Sequence, residues 1–109
     1  MLNLLGHTFE AAEEKLEAYA LLSAMLPTYF WFQWNELEKL GTEFGLSNAE
    51  SRESIYETLN AALNTMYRSK MKPEDVMDLI PVKPIGENQE EIKAIYREKL
   101  TGLFQKIKP

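Results

Sequence analysis

A chain of 109 residues holds one domain with a single core, and at this size about two-thirds of the unfolded surface is hidden on folding. Apolar residues make up 45% and charged residues 27%, and a net charge of -5 argues against a nucleic-acid binder, which presents a basic face. There is no cysteine, so disulfides and thiolate metal sites are excluded.

Residues 1–8 read as a lead-in. They carry no basic, signal-like apolar run, so the cytoplasm is the expected compartment. A first helix is expected over 11–25, with Glu10, Glu13 and Glu14 at its positive end and Leu16, Tyr19, Ala20 and Ser23 on its apolar or small stripe. Pro27 breaks it and suits the first turn of a second helix, expected over 27–44. The apolar stretch 21–34 is interrupted by Ser23, Pro27 and Gln33 and is too short to span a bilayer, so no membrane partner is expected.

The opening of the second helix, Tyr29-Phe30-Trp31-Phe32-Gln33-Trp34, is apolar nearly all round. A helix of that kind is buried on most sides, which a small monomer struggles to provide. Interfaces are enriched in such aromatics, so a subunit interface or core is favoured over a ligand cage. Farther on the pattern narrows to Leu37, Leu40 and Phe44, and Gly45 is a natural C-cap.

Ser47 with Glu50 forms a capping box that opens a long third helix, expected to end near Lys70. Ile55, Leu59, Ala62, Leu63 and Met66 recur at helical spacing, and Ala61 and Ala62 allow another helix to approach closely. Pro73 opens a short helix expected over 73–79, with Glu74 and Asp75 in its first turn. Two prolines and a glycine mark 81–86 as a loop. Asn88 with Glu91 reads as a second capping pair for a last helix to about Lys106, with Ile92, Ile95, Tyr96, Leu100, Leu103, Phe104 and Ile107 on one face. The fold class expected is therefore all-α, with about five helices in one domain, 1–109.

Catalytic signals are weak. The five glycines are too scattered for a dinucleotide or phosphate-binding loop, and the lone histidine, His7, lies in the lead-in, so no metal site is expected. Adjacent pairs such as Glu13/Glu14 and Glu90/Glu91 do not face each other on a helix, and dipole and solubility roles explain them better than acid–base work.

The order of these features resembles the C-terminal dimerisation domain of the pyrroline-5-carboxylate reductase family. The stretch from Phe9-Glu10-Ala11-Ala12 to Lys15-Leu16-Glu17-Ala18 is similar to the segment that leaves that family's nucleotide domain. At the helix break the family has Ser-Gly-Ser-Gly-Pro-Ala-Tyr; here Ser23, Pro27 and Tyr29 match and the glycines are replaced. Glu43-Phe44-Gly45-Leu46 and Ser69-Lys70-Met71-Lys72-Pro73 are similar to the family's later turn and short helix. The resemblance implies long helices that interlock with a second subunit, as in 6-phosphogluconate-dehydrogenase-like dimerisation domains. It implies a homodimer interface at Tyr29, Phe30, Trp31, Phe32, Trp34, Leu59, Ala62, Leu63 and Met66. It also implies a substrate wall at Ser23, Pro27, Thr28, Tyr29, Lys83, Pro84 and Gly86.

The family's substrate loop, Ser-Pro-Gly-Gly-Thr-Thr, reads here Pro81-Val82-Lys83-Pro84-Ile85-Gly86-Glu87. The threonine pair is absent, prolines remove amide donors and Glu87 repels a carboxylate; Lys83 is the residue that could pair with one instead. Residues 1–9 would lead in from a nucleotide-binding domain, and that missing domain would hold NADP or NAD and the hydride chemistry. This chain is then expected to bind no cofactor, to contain no catalytic residue, and to meet an imine carboxylate only beside a cofactor domain. The alternative is a stand-alone, non-enzymatic helical dimerisation or interaction module.

Overall fold

The computed structural model describes residues 15–108, and every described element is helical. These are α1 (Leu16–Leu22), α2 (Pro27–Glu43), α3 (Asn48–Arg68), α4 (Pro73–Met77), a short 3₁₀ turn (Gly86–Asn88) and α5 (Gln89–Ile107). The all-α class and the order of elements are as expected. The lead-in, His7 and the acidic opening of the first helix lie outside the described residues. The chain divides into two compact units: one holds the described residues 15–30 and 85–108, the other is the continuous stretch Trp31–Pro84.

In the first unit α1 packs on α5. Leu21, 6% exposed, is its buried centre. Helix α1 ends at Leu22, three residues before the expected 25. Residue 26 precedes proline and is steered away from helical geometry, so the chain must turn early. The carbonyls freed by that turn find partners. The Met25 amide donates to Ala20 O at 3.1 Å, and the Tyr29 hydroxyl donates to Leu21 O at 2.5 Å. The Tyr29 ring meets Tyr96 of α5 edge-on, with centroids 5.9 Å apart.

In the second unit α2 and α3 form a hairpin. Its turn is a Schellman motif: Gly45 donates to Thr42 O at 3.2 Å and Leu46 donates to Gly41 O at 3.0 Å. Gly45 sits at φ 107°, a left-handed conformation that glycine adopts without a Cβ penalty. The capping box is complete. The Glu50 amide donates to Ser47 Oγ at 3.0 Å, and the Ser47 amide donates to Glu50 Oε1 at 2.8 Å. Just past the turn α3 crosses α2 closely. Ser51, 2% exposed, sits on Gly41.

Three other boundaries differ from expectation. Helix α3 stops at Arg68 rather than Lys70, because the Ser69 hydroxyl donates back to Thr65 O at 2.6 Å and also accepts the Met71 amide at 3.2 Å. Helix α4 stops at Met77 rather than 79; Ile80 precedes Pro81, so the chain leaves helical geometry there. Asn88 does not cap α5. Its carboxamide donates to the Glu91 side chain at 3.2 Å, and the 3₁₀ turn leads the chain into the helix instead.

Candidate functional site

The side chains that stand out lie on the facing sides of α2 and α3. Trp31, Trp34, Asn35 and Glu38 follow one another at spacings of three, one and three, which is one stripe of a helix. From α3 come Arg52, Ile55, Tyr56, Leu59, Asn60 and Leu63, again a single stripe. The hairpin touches at Gly41 and Ser51. One layer on, Arg52 Nη1 lies 3.4 Å from both carboxylate oxygens of Glu38. Beyond that pair the two stripes line an open groove of about 420 Å³.

This groove is not a closed core. Within Trp31–Pro84 no apolar side chain is buried. Trp34, Ile55 and Leu59 on its walls are half-buried, whereas Trp31, Tyr56 and Leu63 are 61%, 67% and 54% exposed. The polar groups are few and mostly occupied. Glu38 pairs with Arg52, and the Asn60 amide donates to Tyr56 O at 3.0 Å. The charges within the groove cancel, and its walls are mostly aromatic and aliphatic.

The expected interface residues divide. Trp31, Trp34, Leu59 and Leu63 line this groove. Ala62 lines a second depression with Thr65, Val76, Ile80 and Lys83. Tyr29 and Phe30 belong to the first unit, where their rings lie 6.4 Å apart. Phe32 is exposed and Met66 half-buried, and neither lines either groove. Asn35, Glu38, Arg52, Ile55, Tyr56 and Asn60 were not expected at a site. The signal for them was present, because each extends an apolar stripe at three- or four-residue spacing once polar residues are admitted to it.

The polar atoms of the expected substrate wall are engaged locally. Ser23 Oγ donates to Tyr19 O, Thr28 Oγ1 to Met25 O at 2.6 Å and Tyr29 to Leu21 O. Lys83 Nζ donates to Ile80 O at 2.9 Å and lies 4.0 Å from the Asp78 carboxylate. Pro84 ends the second unit, and Gly86 opens the 3₁₀ turn of the first. Burial, and secondarily the neighbouring Tyr96, hold the Tyr29 hydroxyl above the usual tyrosine range. Among the described residues no group of three His, Cys, Asp or Glu side chains is placed to hold a metal ion. No described helix is long and apolar enough to cross a membrane.

Compared with family models, with curated proteins and with solved structures, the chain matches none. The resemblance to pyrroline-5-carboxylate reductases therefore rests on the sequence features alone.

Proposed function

We propose that the chain works as a helical association module whose α2–α3 groove closes on a second copy of itself. One observation carries the reading: the hairpin has an aromatic and aliphatic groove where a small domain should have a core. The exposed parts of Trp31, Tyr56 and Leu63 amount to roughly 400 Å², taking aromatic side chains at 150–250 Å² each. That is about half of the ~800 Å² per partner of a standard interface, before any rim residue is counted. A second copy is favoured as occupant because the groove is electroneutral. The Glu38–Arg52 pair leaves no net charge within either of two such grooves, although each chain carries -5.

The test is the assembly of three variants. Trp31→Glu and Leu63→Glu, each placing a charge in the groove, should give monomers that keep the helical circular dichroism of the unaltered chain. Ser54→Glu, on the opposite side of α3, should assemble like the unaltered chain. Groove variants that assemble normally would remove the reading.

A second, narrower reading rests on the sequence resemblance: the module as the dimer-forming part of a reductase-like protein. The Pro27 break, the Gly45 turn, the Ser47 capping box and the Pro73 helix all follow the order that the resemblance implies. In that setting a separate domain would bring NADP or NAD, and the Lys83–Gly86 segment would face an imine carboxylate. Dinucleotide binding by a longer form, lost in affinity for the carboxylate on Lys83→Ala, would support it; unchanged carboxylate affinity would exclude the Lys83 role.

A further inference from the structure

We draw no further inference here: the strongest candidate, the apolar depression between α3 and the segment that follows α4, lined by Ala62, Thr65, Met77, Ile80 and Lys83, carries nothing, because the Lys83 amine is already bonded to Ile80 O at 2.9 Å and lies 4.0 Å from the Asp78 carboxylate, and nothing in the structure shows what covers its exposed apolar wall.

Discussion

The contact between Gly41 and Ser51 holds the two walls of the groove together at one end, and replacing Gly41 with alanine tests it. In an open helix this change would stabilise by up to about 1 kcal/mol through backbone propensity. Here the new Cβ would overlap Ser51 Oγ and lie 3.1 Å from Ser51 Cβ. Ser51 is 2% exposed and belongs to the first turn of α3, so it has little room to give. Overpacking of this kind costs about 1–3 kcal/mol. The net effect expected for Gly41→Ala is a loss of up to about 2 kcal/mol. Ser51→Ala points the other way. Among the described residues Ser51 Oγ is buried with no hydrogen-bond partner, and removing such a group stabilises by about 1 kcal/mol or more. In the Ser51→Ala background the cost of Gly41→Ala should shrink, and in Ser51→Gly it should vanish or reverse. The assay is urea unfolding followed by circular dichroism at one fixed protein concentration, since association shifts apparent stability. A Gly41→Ala variant that gains the full propensity increment, or additive effects across the double-mutant cycle, would refute a close crossing at these residues.

Two further perturbations follow from local geometry. Ser47→Ala removes the side-chain acceptor of a complete capping box and should cost about 1 kcal/mol in the same unfolding assay, with Ser47→Thr near neutral. The Tyr29 hydroxyl is held above its ordinary value, so the folded chain favours its neutral form. Above the unfolded tyrosine value of about 10, the unfolded state releases that proton first, so stability falls as pH rises from there through the folded value. Alkaline unfolding followed by tyrosinate absorbance should show this decline. Tyr29→Phe should lose the pH-dependent part while losing the Leu21 bond at all pH values.

Much of this architecture was legible in the chain, because the punctuation is local chemistry. Pro27 can open a helix but not continue one, Gly45 supplies the single positive φ among the described residues, and Ser47 with Glu50 closes a box whose two bonds depend only on three-residue spacing. Boundaries that depend on which of several equally local partners a polar side chain takes differ from expectation. Ser69 turns its hydroxyl on Thr65, and Asn88 takes a side-chain partner in place of the backbone; neither choice is set by residue type. The aromatic run 29–34, apolar nearly all round, divides between two settings: Tyr29 locks the α1–α2 break while Trp31 and Trp34 face α3. A helix rotates its neighbours apart by about 100° per residue, so a continuous run of rings serves several faces at once. The groove was half visible for the same reason. Ile55, Leu59 and Leu63 belong to the apolar pattern, but Asn35, Glu38, Arg52 and Asn60 look like solvated positions until the opposite helix is placed against them.

The central claim is that this groove is completed by another copy. Light scattering across a range of protein concentrations tests it most directly. A mass of about twice the single chain, falling toward one chain only on dilution or on Trp31→Glu, is what the account predicts. A well-folded monomer at every concentration, with Trp31 still in contact with water, would contradict it.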